Sequence, residues 1–168
     1  MKETRHMKTA KDILLIGNPR LNKISSPIVE SDLPNLKDWV SDLHSAMEDI
    51  RAKYNFGRGI AAPQLGIMKR LIYLNLDKTY IIINPEIIYE SDEMITLWDD
   101  CMSFPNLFVK VKRHKKILFK YFDENLEQKE WAVEDDLSEL IQHEYDHLDG
   151  ILATERAIDS KSFKWRTL

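Results

Sequence analysis

The segment DDLSELIQHEYDHLDGIL constrains the fold of this 168-residue chain more than any other feature, because it contains His143, Glu144 and His147 in the pattern H-E-x-x-H. Residues four positions apart lie on one face of an α-helix, so both imidazoles can bind the same metal ion while Glu144 faces the open side of that ion. We therefore predict that this segment is a helix and that it carries a catalytic metal site. The alternative is that two structural histidines happen to flank a glutamate.

Residues at both ends of the segment mark the limits of the predicted helix. Asp136 followed by Glu139 resembles a capping box, and Gly150 stands where a left-handed C-terminal cap is expected. The apolar faces are supplied by Leu137, Leu140, Ile141 and Leu148. The motif is thus expected on a helix that packs against the rest of the protein.

A catalytic site of this kind needs a third protein ligand and leaves one position for water. In the metzincin pattern H-E-x-x-H-x-x-G-x-x-H the last position is Ala153 in this chain, which cannot bind a metal. Glu155 and Asp159 are the carboxylates beyond the predicted helix, and neither lies where a thermolysin-like ligand is expected. The third ligand is therefore expected upstream, where Cys101, the only cysteine, lies in LWDDCMSFP.

Length and composition indicate one globular domain. With 43% hydrophobic residues the chain can bury a proper core, and we expect a single catalytic domain over residues 1–168 with mobile ends at 1–12 and 160–168. One cysteine cannot form an internal disulfide, and neither a membrane-spanning apolar run nor a signal-peptide block is found in the sequence. We therefore expect a cytoplasmic protein without a membrane partner.

The charge pattern argues against nucleic acid as the main ligand. The net charge is -4, which does not favour binding to phosphate backbones. One local exception is the basic strip from Lys110 to Lys116. We interpret this strip as the solvated edge of a sheet, and the alternative is a surface that meets an acidic partner such as ribosomal RNA.

Hydrophobic periodicity predicts an α+β fold. Apolar residues recur at three- and four-residue steps from Leu36 to Phe56, which predicts an amphipathic helix, and His44 on this helix is expected to be exposed or hydrogen-bonded. Short strands are predicted for RLIYLNL, TYIIINPEIIYES, with a turn at Asn84-Pro85, and EMITLW. We expect short antiparallel or mixed sheets packed around a central helix that carries the H-E-x-x-H motif.

The remaining strands are expected in and after a long hairpin. Ile117, Phe119 and Tyr121 alternate with polar residues, and Trp131 and Val133 alternate on the return. A turn is predicted at DEN between these two strands. After the motif, ILATE is expected to form one short strand, followed by a mobile tail that is too short for a long terminal helix.

The segment GRGIAAPQLG has two possible interpretations. Gly57, Gly59 and Ala62 match the dinucleotide-binding pattern G-x-G-x-x-A, but that pattern follows a strand and opens a helix, whereas this segment follows a helix and continues into Pro63. We therefore exclude dinucleotide binding. The small residues instead indicate a loop that passes close to a site and presents the Gln64 amide there.

Three blocks, GRGIAAPQ, DDCMS and QHEYDH, stand in this order in the sequence. They resemble the three signature motifs of the peptide deformylase family, and the similarity extends from about Leu14 to Leu152. The resemblance implies that Glu144 is the general acid and base, and that Gln64 and the backbone N–H of Met102 hold the oxyanion. It implies that the metal ligands are Cys101, His143 and His147. It also implies that substrate contacts come from Gly59 and Ile60.

The family resemblance implies hydrolysis of the N-formyl group of N-formyl-methionyl nascent chains, with release of formate. One divalent metal ion is implied, Fe²⁺ as the physiological ion, with Zn²⁺, Ni²⁺ or Co²⁺ also able to bind. Candidate residues for an apolar methionine pocket are Ile60, Phe104, Leu140 and Ile141. Four alternatives stay open: a metallopeptidase, another N-deacylase, a cysteine hydrolase in which Cys101 attacks, and a weakened paralogue that only binds formyl peptides.

The second block departs from the family pattern. Asp99-Asp100 replaces Glu-Gly before the cysteine, and Met102 replaces Leu after it. Met102 nearly conserves side-chain volume, but Asp100 adds a carboxylate beside the metal ligands. We expect Arg113 to pair with Asp99 in a structural role. Some family members use a long C-terminal helix at the ribosome, and the short tail of this chain makes that contact doubtful.

Overall fold

The computed structural model describes residues 5–167, and in this part of the chain two α-helices and eight β-strands form an α+β fold. The helices are α1, Leu33–Tyr54, and α2, Asp135–Leu148. The first four strands are β1, Gly59–Ala61, β2, Leu71–Asn75, β3, Thr79–Glu90, and β4, Met94–Asp99. The last four are β5, Leu107–His114, β6, Lys116–Phe122, β7, Gln128–Glu134, and β8, Phe163–Trp165.

The strands form two antiparallel sheets. One has five strands in the order β1-β2-β3-β6-β7, and the other has three strands in the order β4-β5-β8. The predicted α+β class and the β6–β7 hairpin are confirmed. The turn predicted at Asn84-Pro85 is wrong, because β3 continues through it with only a register irregularity between Ile83 and Glu86. Asn84, at this irregularity, has a positive φ of 50°.

Helix α1 covers one face of the five-stranded sheet. It begins at Leu33 and has Pro34 in its first turn, where the backbone N–H that proline lacks would have no helical partner. It ends before Asn55, whose positive φ of 56° is left-handed. Its apolar side packs into a buried cluster with β1 and β2. The Nδ1 atom of His44 lies 2.7 Å from the hydroxyl of Tyr73, so this histidine is hydrogen-bonded.

Helix α2 carries the H-E-x-x-H motif and lies between the two sheets, in contact with β1, β5 and β7. Ile141 and Leu148 are fully buried in a cluster with residues of β2, β3 and β6. Gly150 follows the helix with a φ of 73°, as expected, and a Cβ there would lie 2.6 Å from the backbone carbon of Asn22. The helix is therefore fixed at its C-terminal end by a close backbone contact.

The capping box predicted at the N-terminus of α2 is wrong. The N-cap is Glu134, and no side chain caps the helix. Asp136 instead forms an ion pair with Arg58, 2.8 Å long, and Glu139 is buried to 6% exposure. Both residues thus form tertiary contacts instead of the capping box that their spacing predicts.

The C-terminal region also differs from expectation. ILATE is not a strand, because Ala153–Arg156 form a 3₁₀ turn, and the expected mobile tail contains β8, which pairs with β5. β8 pairs with Leu107–Val109 of β5, so it does not extend along the basic strip from Lys110 to Lys116, in which Arg113 is buried. Of the N-terminal residues 1–12, the first four lie outside the described residues, and Arg5 pairs with Asp42 on α1. No helix within residues 5–167 is long and apolar enough to cross a membrane.

Candidate metal centre

Three predicted metal ligands converge although they lie far apart in the sequence. The Sγ atom of Cys101 is 3.3 Å from Nε2 of His147, which is 3.2 Å from Nε2 of His143. All three side chains are buried, and their ligand atoms lie within 4.8 Å of one another. The two histidines come from α2, and the cysteine comes from the loop directly after β4. One sulfur and two imidazole nitrogens therefore face a common point.

The sulfur of Cys101 receives two hydrogen bonds. The backbone N–H of Ser103 donates to it at 3.4 Å and the Nε2 of Gln64 donates at 3.5 Å. Burial raises the pKa of the Cys101 thiol. The residue is therefore not activated as a free nucleophile, which argues against the cysteine hydrolase alternative. Two donors at the sulfur nevertheless suit a thiolate whose charge is balanced by a cation.

His143 is oriented by Asp99, the last residue of β4. The Nδ1 atom of the imidazole lies 2.8 Å from Oδ2 of Asp99, which fixes the ring and leaves Nε2 facing the other two ligand atoms. Although burial opposes it, the Asp99 carboxylate raises the pKa of His143. Arg113 lies 3.4 Å from the same Asp99 oxygen, as expected, and also pairs with Asp146 on α2. His143, Asp99, Arg113 and Asp146 are thus linked by a buried series of hydrogen bonds and ion pairs.

His147 presents a neutral imidazole. Burial, followed by the nearby His143, lowers its pKa well below the ordinary value. Its Nδ1 has no hydrogen-bond partner among the described residues, while Nε2 faces Cys101 and His143. A neutral ring with a lone pair directed at the other ligand atoms is the form that binds metals.

Glu144 lies beside the three ligand atoms with one oxygen free. It is 3% exposed, and its Oε2 has no hydrogen-bond partner within residues 5–167. Burial raises its pKa to about 7, which suits a group that accepts and returns a proton near neutral pH. Gly59 on β1 permits this placement, because a Cβ there would lie 3.1 Å from Oε1 of Glu144 and 2.7 Å from Leu74.

Gln64 and Met102 supply donors beside the ligand atoms. The Oε1 of Gln64 accepts a hydrogen bond from the Ala61 N–H at 3.0 Å, so the amide is held with its NH₂ group towards Cys101 and Ser103. The backbone N–H of Met102 has no acceptor among the residues that the structure describes. Both donors therefore lie at the loop that carries the sulfur.

A cleft of about 400 Å³ opens onto these residues. It lies between β1 and β4, which are edge strands of their two sheets. Leu140 lines the cleft as expected, but the side chains of Ile60, Phe104 and Ile141 do not, and Ile60 is fully buried in the core. The Ile60 side chain therefore belongs to the core and not to the lining of the cleft.

Sequence reasoning missed Glu139 and Asp136 as cleft residues. Glu139 precedes His143 by four residues and so shares its helix face. That spacing was the available signal, but the capping-box pattern offered a local explanation instead. Asp136 extends the same side of the helix towards the mouth of the cleft, where it pairs with Arg58.

Residues 10–163 match the family model described as polypeptide deformylase. The chain belongs to this family. The peptide deformylase of Pseudothermotoga lettingae is 35% identical over 156 residues, which cover 93% of this chain and 88% of the relative. That of Treponema pallidum is 35% identical over 153 residues, 89% of each chain.

Solved peptide deformylase structures share the fold. The crystal structure from Thermotoga maritima has a TM-score of 0.80 and 33% identity and covers 92% of this chain and 100% of that chain. The structure from Synechococcus elongatus, in complex with actinonin, has a TM-score of 0.82 and 27% identity. The match covers 94% of this chain and 86% of that chain. The deformylase family removes N-formyl groups from nascent peptides, and this chain is accordingly a hydrolase that acts on an amide.

The deformylase family uses a divalent metal, and the residues of this chain fit one. Nε2 of His147 lies 3.3 Å from the Cys101 sulfur and 3.2 Å from Nε2 of His143, and all three ligand atoms lie within 4.8 Å of one another. His147 has the depressed pKa of a neutral ring. The unpartnered oxygen of Glu144 lies beside them. A set of one sulfur and two nitrogens suits Zn²⁺ or Fe²⁺.

Proposed function

We propose that this chain hydrolyses the formyl group of N-formyl-methionyl nascent chains, with Cys101, His143 and His147 holding one divalent metal ion. The observation that carries this proposal is the convergence of Sγ and two Nε2 atoms beside an unpartnered Glu144 oxygen. The products are formate and a free N-terminal amine. Fe²⁺ is proposed as the physiological ion, and Zn²⁺, Ni²⁺ and Co²⁺ also suit the ligand set.

A formamide is unreactive towards water at neutral pH, and a bound divalent ion supplies the missing activation by lowering the pKa of water and polarising the carbonyl. Asp99 supports the ligand set by holding the His143 ring through Nδ1. The sulfur of Cys101 takes part as a thiolate, stabilised by donors from Ser103 and Gln64.

Glu144 moves the proton. Its carboxylate accepts a proton from the attacking water and returns it to the leaving amine nitrogen, so that the C–N bond breaks without a free amide anion. Burial favours this role, because a pKa raised to about 7 makes both proton transfers accessible near neutral pH. Gly59 has no side chain to crowd this carboxylate, since a Cβ there would lie 3.1 Å from Oε1 of Glu144.

Gln64 and Met102 stabilise the carbonyl oxygen as it becomes negative. The Gln64 amide is held by Ala61 and Ser103, so its NH₂ group is fixed before substrate binds. The Met102 N–H donates to no acceptor among residues 5–167 and is available to the same oxygen. Donors fixed in advance act on the transition state without a cost of reorganisation.

The peptide is proposed to bind in extended form between β1 and β4, where Gly59 faces its main chain. Leu140 contributes an apolar wall for the methionine side chain. Because the substrate is a newly made chain, we expect the reaction to take place in the cytoplasm at the site of protein synthesis.

Anaerobic purification with metal analysis, followed by a formate-release assay on formyl-Met-Ala-Ser, tests the proposal. We expect one divalent ion per chain and release of formate, and we expect Glu144→Ala to retain the metal but lose turnover. Formate release excludes a metallopeptidase, and cleavage of an internal peptide bond without it would support one. A protein that binds the metal and the peptide without turnover would instead be a formyl-peptide-binding paralogue.

A further inference from the structure

The three-stranded sheet has one face that is exposed and basic, and the proposed mechanism does not use it. Side chains alternate along β5, so Val109 is buried while Lys110 and Lys112 are exposed on the other face. Lys164 of β8 lies on this exposed face as well, because it is directly opposite Phe108 of β5. Lys110, Lys112 and Lys164 are called the outer lysines below.

Aromatic rings hold two of the outer lysines in place. The Nζ atom of Lys164 lies 4.2 Å from the centre of the Trp98 ring and 5.4 Å from that of the Phe108 ring. The Nζ atom of Lys110 lies 5.7 Å from the centre of the same Trp98 ring. Cations are attracted to aromatic faces, so these ammonium groups are partly ordered before any ligand arrives. Less side-chain entropy is therefore lost when an anion binds to them.

The outer lysines have no acidic partner within residues 5–167. Ion pairs are formed by the nearby Lys115, Lys116 and Lys120, but not by the outer lysines. Arg166, on the same face, is neutralised by Asp100. The outer lysines therefore form a local excess of positive charge on a chain whose net charge is -4. Such an excess favours a ligand of negative charge.

The cleft opens onto this face across the edge strand β4. Successive residues of a strand point to opposite faces, and both Leu97 and Trp98 line the cleft. Leu97 packs on the inner side, in the cluster that contains Cys101, whereas Trp98 lies beneath the outer lysines. Trp98 therefore belongs both to the cleft wall and to the exposed face. A peptide that is too long for the cleft has a path over Trp98 to the outer lysines.

We propose that the outer lysines bind acidic side chains of the nascent chain, downstream of the residues held in the cleft, and so favour substrates with an acidic segment after the N-terminal residues. This inference rests on the proposed deformylation and specifies its substrate class. A polypeptide is favoured over nucleic acid as the occupant, because Lys110 and Lys164 lie over the Trp98 ring where a base would stack. The negative net charge of the chain also opposes binding to a polyanion.

The test compares formyl-Met-Ala-Ser peptides that are extended by Asp-Asp-Asp, Ser-Ser-Ser or Lys-Lys-Lys and have amidated C-termini. The discriminating quantity is the ratio of kcat/KM for the aspartate peptide to that for the serine peptide. Exposed ion pairs commonly contribute a factor of about 1.5 to 5 each, so we expect a ratio of about ten at low salt and a poorer reaction with the lysine peptide. The preference should be expressed in KM and should shrink at high salt.

Replacement of all three outer lysines, by Lys110→Gln, Lys112→Gln and Lys164→Gln, should lower this ratio to about one. Lys78→Gln is the matched control and should keep the wild-type ratio. Lys78 also lies over a ring, with Nζ 5.1 Å from the centre of Tyr80, but it does not line the cleft. If the triple variant does not fold, Lys112→Gln alone should lower the ratio by about twofold. Equal ratios in the wild type and the lysine variant would overturn the inference.

The same peptides should be titrated calorimetrically into metal-loaded Glu144→Ala, with and without the three lysine substitutions. A binding preference for the aspartate peptide that disappears with the substitutions supports the inference, and an unchanged preference contradicts it. If the metal-loaded wild type releases no formate from any formyl peptide, the proposed function fails, while this binding comparison still decides the role of the outer lysines. The two failures are therefore distinguishable.

A single-stranded RNA oligomer should be titrated into the same proteins as the competing occupant. If the lysine substitutions abolish its binding but leave the peptide ratio unchanged, the exposed face is a nucleic-acid surface and the inference is wrong. A peptide ratio that depends on the outer lysines, with no binding of the oligomer, supports the inference.

Discussion

The carboxylate of Asp100 is paired with Arg166, with Oδ2 2.5 Å from Nη2. Arg166 also lies over the rings of Phe56 and Phe108, with its guanidinium carbon 4.1 and 4.3 Å from their centroids. The acidic residue that replaces the family's glycine beside Cys101 thus binds the segment after β8. Its effect is to tie the C-terminal tail to one wall of the cleft, which Phe56 and Asp100 line.

Asp100→Gly is therefore expected to leave the fold and the metal content intact, to free the tail, and to raise or broaden deformylation. Loss of the ion pair should lower the free energy of unfolding by about 1 kcal/mol. Kinetics with formyl-Met-Ala-Ser and urea unfolding provide the measurements. Arg166→Ala should change the kinetics in the same direction but lower stability more, because it also removes the contacts of Arg166 with Phe56 and Phe108. The double variant should add little to Arg166→Ala, because the Asp100–Arg166 ion pair is already broken. Unchanged kinetics in all three proteins would show that Asp100, in place of the family's glycine, has no effect on deformylation.

Asp99→Asn tests the residue that orients His143. The Nδ1–Oδ2 contact of 2.8 Å fixes the imidazole, and loss of such a partner commonly lowers metal affinity by about 10–100-fold. Competition with a chelator should show this loss of metal affinity. The far-UV circular dichroism spectrum should not change, because Arg113 keeps its ion pair with Asp146. Asp100→Asn is the matched control and should bind metal as the wild type does. Equal affinities in both variants would exclude a role for Asp99 in metal binding.

The three proposed metal ligands could be predicted from the sequence for local reasons. His143 and His147 share a helix face whatever the tertiary structure, and Cys101 is the only cysteine of the chain. The antiparallel hairpin of β6 and β7 was equally predictable, because its alternation is long and its turn is short. The histidine pair and the hairpin depend on spacing along the chain, whereas Cys101 was added by the resemblance of its block to the deformylase motif.

The features that sequence reasoning missed depend on tertiary contacts. Glu139 was assigned to a capping box, yet the position of β4 places it beside Asp99 in the cleft. β8 has three residues, too few for a periodic signal, and its register with β5 is what brings Arg166 to Asp100. Spacing along the chain cannot reveal a partner 66 residues away.

The raised pKa of Glu139 predicts how stability depends on pH in the metal-free protein. Burial raises this pKa from 4.5 to about 9, so between these values the folded state keeps a proton that the unfolded state releases. The wild type should therefore lose stability as pH rises through this window, by up to about 1.4 kcal/mol per pH unit from this group. Glu139→Gln does not titrate, so its stability relative to the wild type should increase with pH.

Urea unfolding at pH 5, 7 and 8.5 after removal of metal measures this difference. Metal-free protein is required because a cation near the carboxyl group would lower its pKa. Glu130→Gln, at an exposed position, should show a stability difference that does not vary with pH. A constant difference for Glu139→Gln as well would contradict the raised pKa.

Gln64→Ala tests the proposed oxyanion donor. The amide is fixed by Ala61 and Ser103 before substrate binds, so its loss should act on the transition state and lower kcat by about 10²–10³-fold, with little change in KM. Metal content must be measured alongside kinetics, because the same NH₂ group also donates to Cys101.

Ser103→Ala separates these two effects, since it removes a partner that orients the Gln64 amide but leaves the amide itself and the backbone donor to Cys101 in place. A decrease in kcat of about tenfold or less is expected for this variant, because imperfect orientation weakens a donor less than its removal does. If Gln64→Ala keeps both its metal and its kcat, the Met102 N–H and the cation suffice for the developing charge. Loss of metal from Gln64→Ala would instead show that its interaction with the Cys101 sulfur supports the metal site.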